Sequence, residues 1–384
     1  MNILNRYPVL ARHLASDVRK KRLGADQYKL LGGWRAFMPS AHIPALLRAM
    51  IDKEPYPVNG LLIFGGNPLT TVANPRQVST ALQALQLLVV TDLFMTPTAA
   101  LADFVLPAAF WPEVEQVIGY PLVAENMVFC QKKAVQHYDC RQDEWIIDQL
   151  SQRLGLPGSN ANLADINQQR VESLPINMHQ LQQQGVYYPE HVYYKYRQKG
   201  FRTRTGKIEL FCPALERLGY APLPSYQEPP ESPVSTPDLA EEFPYILTTG
   251  ARRREFFHSE HRQIDSLRQL RPFPQADIHP EQAAIHGVTN NDRVRITSPR
   301  GSITMRAFVT TDILPGVINI DHGWWFPEQG SPEFGVWASN ANLLTNNLPP
   351  YDPAFGTYQL RGLLCKLTKE NTPASSINTL QKDD

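Results

Sequence analysis

The sequence predicts an α/β domain built on a parallel sheet, followed across a proline-rich linker by an all-β domain of barrel type. Three observations predict it. Short continuous apolar runs alternate with helically spaced segments in the first half, which is the pattern of parallel strands buried between helices. Prolines crowd between about residues 206 and 245 and exclude long helices there. Beyond about residue 242 the pattern changes to short strands with period-two alternation.

Residues 61–64 form the first expected strand, residues 76–86 have helical spacing, and residues 87–90 form a second strand. Residues 96–102 give a short helix and 104–106 a third strand, in a sheet expected to be covered on both faces. Ligands in such sheets sit off the carboxyl ends of the strands. That directs attention to Gly65, Gly66, Asn67 and Pro68 after the first strand, and to Thr91 and Asp92 after the second. The glycines let backbone N–H groups approach a phosphate, Asn67 can hydrogen-bond a sugar or base, and Asp92 can accept two hydrogen bonds from a ribose or from guanine. The same Gly-Gly-Asn-Pro stretch also makes an ordinary turn, Asp92 also suits a helix cap, and no GxGxxG is present. From the residues alone the domain is a nucleotide-binding α/β unit.

Pro213, Pro222, Pro224, Pro229, Pro230, Pro233, Pro237 and Pro244 mark the linker. After it, strands are expected at 245–248, 293–297, 302–310 and 316–320, with Pro299, Arg300 and Gly301 as a hairpin turn. Val294 and Ile296, then Ile303, Met305 and Ala307, alternate with polar positions, so one face is buried. Two loops carry unusual side chains. In the first, backbone N–H groups at Thr249 and Gly250 can hold pyrophosphate oxygens, with an arginine from Arg252, Arg253 or Arg254 adding a charge-assisted pair; a solvated basic loop is the alternative. In the second, Trp324 and Trp325 suit either stacking on a flat heterocycle or a place in the core.

Lys plus Arg equals Asp plus Glu at 37 each, so no overall field favours nucleic acid or a membrane surface, and neither is expected as a partner. The four cysteines, Cys130, Cys140, Cys212 and Cys365, form no CxxC pair, and neither an iron-sulfur cluster nor a structural zinc is expected. Cys130 and Cys140 read as free thiols. His258 and His261 have the i, i+3 spacing of one helix face but no third ligand. Residues 1–14 lack a signal-peptide core, and no apolar run is long enough to span a bilayer, so this chain is expected in the cytoplasm.

The block GGNPL, then VVTDLFMTPTAALADFVLPA and FWPEVE, resembles the molybdopterin oxidoreductases of the dimethyl-sulfoxide-reductase superfamily. GADQYKLL before it, and DEWIIDQLSQRLG, TRTGKIEL and ILTTGARRREFFHSEHR after it, extend the resemblance over roughly residues 24–368. It implies a Rossmann-like parallel-sheet domain at 56–205, the linker at 206–241, and a six-stranded double-psi-type β-barrel at 242–368. Residues 1–55 would continue a missing domain, and 369–384 would form a disordered tail.

The resemblance further implies a molybdenum or tungsten ion held by two molybdopterin guanine dinucleotides. Gly65, Gly66, Asn67, Thr91, Asp92 and Asp143 are the expected contacts from the first domain, and Thr248, Thr249, Gly250, Trp325, Asn342 and Arg361 those from the second. Val114 departs from the lysine of some members, and Asp103 in LADFVLP reads as a loop-orienting carboxylate. The family's cysteine cluster and metal-ligating residue are not present, so no catalytic or metal-binding residue is assigned. The expected partners are an N-terminal catalytic half or a separate iron-sulfur and metal-ligand chain, together with electron-transfer subunits. A signal in the missing region would export the parent enzyme. HGWWFPE resembles members near formate dehydrogenase, thiosulfate or polysulfide reductase, and acetylene hydratase. The competing readings are a non-catalytic, degenerate cofactor- or partner-binding module, and a stand-alone nucleotide-binding enzyme, which the lack of GxGxxG and of a GxxxxGK[ST] loop disfavours.

Overall fold

The computed structural model describes residues 21–31, 40–119, 127–156, 163–172, 174–190, 192–251 and 253–370. Arg252, most of the expected N-terminal segment before residue 40 and the tail from 371 on lie outside the described residues. Among the described residues two compact units emerge, one made of Thr91–Leu93 and Val105–Ser225, the other of residues 21–90, Phe94–Phe104 and the chain from residue 226 on.

The second of these begins with helix α1 (Ile43–Asp52), strand β1 (Gly60–Phe64), the short turn α2 (Pro68–Thr71), helix α3 (Pro75–Gln83) and strand β2 (Leu87–Asp92). Proline in the first turn starts each helix, where its missing N–H is no loss. Asn74 caps α3 by accepting from Gln77 N at 3.4 Å. Lys53, just past α1, donates to Met50 O at 2.7 Å and Ala84 O at 3.1 Å, so one cation satisfies carbonyls at the ends of two helices. Ala49, Met50, Val78, Ala81, Leu88 and Val90 are buried, and α1 packs on α3.

Strand β3 (Phe104–Pro107) completes a sheet of order β1-β2-β3, and the three apolar runs become its strands as expected. Its strands run parallel: Leu87 N donates to Asn59 O at 3.1 Å where β1 begins, and Asp103 N to Leu88 O at 2.9 Å where β3 begins. Asp103 also accepts from Leu88 N at 2.7 Å through its carboxylate, so it aligns β3 on β2. Coverage of both faces is incomplete among the described residues, since Leu62, Leu87 and Phe104, one on each strand, stay exposed.

In the other unit, β4 (Gln116–Gly119), β5 (Val128–Gln131) and β6 (Val186–Tyr187) form an antiparallel sheet. Helices α4 (Asp143–Arg153), α5 (Leu163–Val171) and α6 (Met178–Gln184) accompany it, and Val117, Val128, Val171 and Leu181 form its core. Buried Asn167 fastens α5 to the edge of β4, accepting from Val117 N at 3.1 Å and donating to Glu115 O at 3.2 Å.

The chain after residue 226 folds as a closed six-stranded barrel: β7 (Tyr245–Ala251), β8 (Gln275–Ile278), β9 (Arg293–Ser298), β10 (Gly301–Val309), β11 (Val317–Asp321) and β12 (Leu363–Lys369), in the order β10-β8-β11-β7-β12-β9. The β10–β8 and β11–β7 pairs are parallel and the other four antiparallel. Ser298 faces Gly301 in register, which makes Pro299 and Arg300 the two residues of the expected hairpin turn. Alternate residues, among them Leu247, Val294, Ile296, Ile303, Met305, Ile318 and Ile320, fill the interior. Periodicity had located neither β8 nor β12, although a six-stranded barrel was expected.

Two polar devices tie other segments to the barrel. Glu231, within the proline-rich stretch, makes a two-pronged ion pair with Arg300 at 2.6 and 2.9 Å and accepts from Leu364 N at 2.7 Å. From the single turn Ala341–Leu344, Asn342 donates to Thr70 O at 2.9 Å, and Asn340 just before it to Leu69 O at 3.0 Å. Strand β1, most of β2 and the barrel belong to one unit.

Candidate functional site

The turn after β1 provides room for a ligand and a side chain to meet it. Gly65 has φ 57°, and a Cβ there would meet nothing within 4 Å, so the backbone is open on that side. Asn67 follows, 6% exposed. Its Oδ1 accepts from the Thr98 hydroxyl at 2.7 Å, and its Nδ2 is buried without a hydrogen-bond partner.

Thr91 and Asp92 end β2, and backbone pairing extends past them. Asp92 O accepts from Ala108 N at 3.1 Å, and Ala109 N donates to Arg141 O at 2.9 Å, with Ala108 and Arg141 forming a parallel bridge. Helix α4 starts two residues later with Asp143. Thr91 and Asp143 thus stand at the carboxyl ends of the two extended segments that flank residues 107–109, where an α/β sheet places its ligands. Thr91 Oγ1 and Asp143 Oδ1 are both buried without a partner. Burial, and then the neighbouring Glu144, raise the Asp143 pKa. Asp92 Oδ1 accepts from Leu93 N at 2.7 Å.

At the barrel, Thr248, Thr249 and Gly250 lie on β7. The Arg361 guanidinium lies against Gly250: a Cβ at that position would sit 2.8 Å from Nη2, so only glycine allows the approach. Thr249 Oγ1 donates to Leu360 O at 2.9 Å. Thr248 opens a polar chain, its hydroxyl donating to Asn319 Oδ1 at 2.8 Å and Asn319 Nδ2 to Asp277 Oδ2 at 2.7 Å. Arg253 ends the chain, bonded to Asp277 at 2.8 Å and to Asp321. Burial pushes the Asp321 pKa up against the pull of Arg253.

Trp325 is wholly buried, donates from Nε1 to Ser259 O at 2.8 Å, and meets Phe334 edge-on at 5.6 Å. Asn342 has its amide on Thr70 O, and its Oδ1 accepts from Thr345 at 3.1 Å. His258 and His261 do not share a helix face: both have positive φ, 52° and 71°, in a run of turns. His258 instead hydrogen-bonds His322 across the barrel loops, Nδ1 to Nε2 at 2.8 Å. Buried Arg262 holds both of their carbonyls, His258 O at 2.7 Å and His322 O at 3.2 Å, between the rings of Phe256 and Trp324. Burial brings its pKa down to about 9. Sequence reasoning had missed Thr98, Arg262 and the His258–His322 pair, because each acts across a separation that no local spacing announces.

Two family models match the chain: "Molybdopterin oxidoreductase" over residues 31–153 and "Molydopterin dinucleotide binding domain" over residues 245–364. Acetylene hydratase of Syntrophotalea acetylenica is 33% identical over 87% of this chain and 47% of the relative. The F420-dependent formate dehydrogenase subunit alpha of Methanocaldococcus jannaschii is 32% identical over 84% of this chain and 45% of the relative. The solved structure of acetylene hydratase from Pelobacter acetylenicus superposes with a TM-score of 0.83 and 28% identity, covering 94% of this chain and 54% of that one. The chain thus spans about half the length of the curated relatives it matches. With both domains present in order, it belongs to the molybdopterin oxidoreductases of the dimethyl-sulfoxide-reductase superfamily.

Proposed function

We propose that this chain is the dinucleotide-holding portion of a molybdenum or tungsten enzyme that carries two molybdopterin guanine dinucleotides. The observation that carries this reading is that each unit buries polar atoms without partners among the described residues: Asn67 Nδ2 in one, Thr91 Oγ1 and Asp143 Oδ1 in the other. Leaving such an atom unsatisfied costs about 1–3 kcal/mol. Their chemistry is that of a nucleotide reader, with an amide donor, a hydroxyl and a carboxylate oxygen. Guanine offers N–H donors that suit a carboxylate and a carbonyl that suits a donor. The open backbone at Gly65 and the Arg361 guanidinium against Gly250 suit phosphate oxygens.

When bound, the metal of such a cofactor supplies oxygen-atom, hydride or electron-pair transfer. On this reading Thr91 and Asp143 hold a guanosine within their own unit, and within the other unit Asn67 donates to an acceptor atom of the cofactor while Thr249, Gly250 and Arg361 hold pterin or pyrophosphate oxygens. The metal ligand comes from further polypeptide, either the remainder of the same protein or a second subunit. That a hydratase and a formate dehydrogenase share this portion supports a scaffold that binds cofactor while other segments choose the substrate.

The test is to purify the chain from its native cells with whatever accompanies it, and to measure metal and the GMP released by acid. About two GMP per molybdenum or tungsten are expected for a bis-dinucleotide site. A well-folded chain without GMP or metal would instead favour a degenerate module that keeps the fold and has lost the cofactor.

A further inference from the structure

We propose that Thr98 is a positioning residue of the dinucleotide site, aiming the Asn67 amide so that it offers only N–H donors to an oxygen of the ligand. The inference rests on the proposed function and deepens it. Thr98 is wholly buried just before the turn Ala99–Leu101. Its Oγ1 accepts from Leu69 N at 3.1 Å and donates to Asn67 Oδ1 at 2.7 Å.

A hydroxyl has one proton to give. With the Leu69 N–H on its lone pair and that proton on Asn67, the amide oxygen is occupied and the amide nitrogen is turned away from the threonine. That nitrogen is buried, on a side chain only 6% exposed, and among the described residues no atom accepts from it. The turn cannot readily swing to satisfy it. Asn67 O already accepts from Thr70 N and Thr71 N at 3.0 and 3.1 Å, and Asn340 and Asn342 hold the next two carbonyls, Leu69 O and Thr70 O. An atom that completes this site is therefore a hydrogen-bond acceptor, and among the acceptors of a guanine dinucleotide the oxygens of base, ribose and phosphates far outnumber the ring nitrogens of the base.

The test uses the full chain as purified, its acid-released GMP content, and titration of cofactor-stripped protein with GDP, guanosine and inorganic pyrophosphate as separate probes. Thr98→Val keeps the shape and removes the hydroxyl. It is expected to weaken GDP binding about tenfold, the loss of one well-placed hydrogen bond, and to lower GMP content. Thr98→Ser restores the hydroxyl and should bind as the wild type does. Asn67→Asp keeps an acceptor for the Thr98 proton but removes the donors, and should lose GDP even where Thr98→Val is poorly folded. A loss confined to guanosine places the acceptor oxygen on the nucleoside, and a loss confined to pyrophosphate places it on the phosphates. Either a folded Thr98→Val chain or an Asn67→Asp chain that binds GDP as tightly as the wild type overturns the positioning role. If the wild type itself neither contains GMP nor binds GDP, the cofactor reading falls, and this inference with it.

Discussion

On the proposed function, Asp143 trades stability against ligand binding. Its pKa is raised, by burial first and then by Glu144, so binding a proton there favours the folded chain. A raised folded-state pKa gives stability below the unfolded pKa that is lost as pH rises through the folded one. At neutral pH the ligand-free chain therefore bears the cost of a buried carboxylate, and Asp143→Asn should raise its melting temperature. The gain should shrink as pH falls into the ordinary carboxylate range, while GMP content falls at every pH. Calorimetry across pH, paired with GMP analysis, checks both signs, and a variant that melts lower at neutral pH would contradict the argument. Trp325→Ala, which empties a wholly buried ring site, should cost about 3–5 kcal/mol in a urea titration. Asn67, Thr91 and Asp143 could be singled out as candidates from the sequence because strand ends and a family motif mark them. Thr98 was not, since its partner lies 31 residues away and nothing in PTAALAD distinguishes a buried hydroxyl from an exposed one.

Among the elements, the apolar runs of β1, β2 and β3 and the alternation of β9 and β10 were readable because periodicity reports burial directly. Strand β8 was not, since its four residues are too few to set a period and a parallel partner, β10, gives them their place. Strand β12 was missed because it is buried at Leu363, Leu364 and Cys365 in succession, which breaks the alternation. Composition identified the proline-rich stretch but not its anchor, the Glu231–Arg300 pair, where both side chains are mostly buried. Glu231→Ala leaves that guanidinium without its counter-charge and should cost about 3–5 kcal/mol. Asp103→Ala should cost about 1–3 kcal/mol by stranding Leu88 N at the start of the β2–β3 pairing. Denaturant titrations of the two variants check these losses, and a change under 0.5 kcal/mol, roughly the scatter of ordinary surface substitutions, would reject either role.

For the molecule as a whole, the sequence divided the chain at the proline-rich stretch, whereas compactness groups β1, α3 and most of β2 with the barrel. The link is polar and shared: two asparagine amides on the carbonyls of α2, Asn347 bonded to Asn74 and Gln77 at α3, and Arg76 over the Trp337 ring. A change of Asn340 and Asn342 together to alanine should separate one cooperative transition of this unit into two, read by circular dichroism against near-ultraviolet absorbance. Coincident curves at wild-type midpoint would show that the amides do not couple the parts. Local patterns could not reveal this link, because its partners are about 270 residues apart.

Strand β12 also bears on how the chain is made. It is the last strand in sequence, yet it sits between β7 and β9 and pairs with both. During synthesis the barrel cannot close until the ribosome has released residues 363–369, and through that interval the facing edges of β7 and β9 are bare. A premature stop codon only slightly upstream of Leu363 would therefore leave two sticky strand edges as well as a shorter chain, and its product would be a substrate for chaperones and proteases.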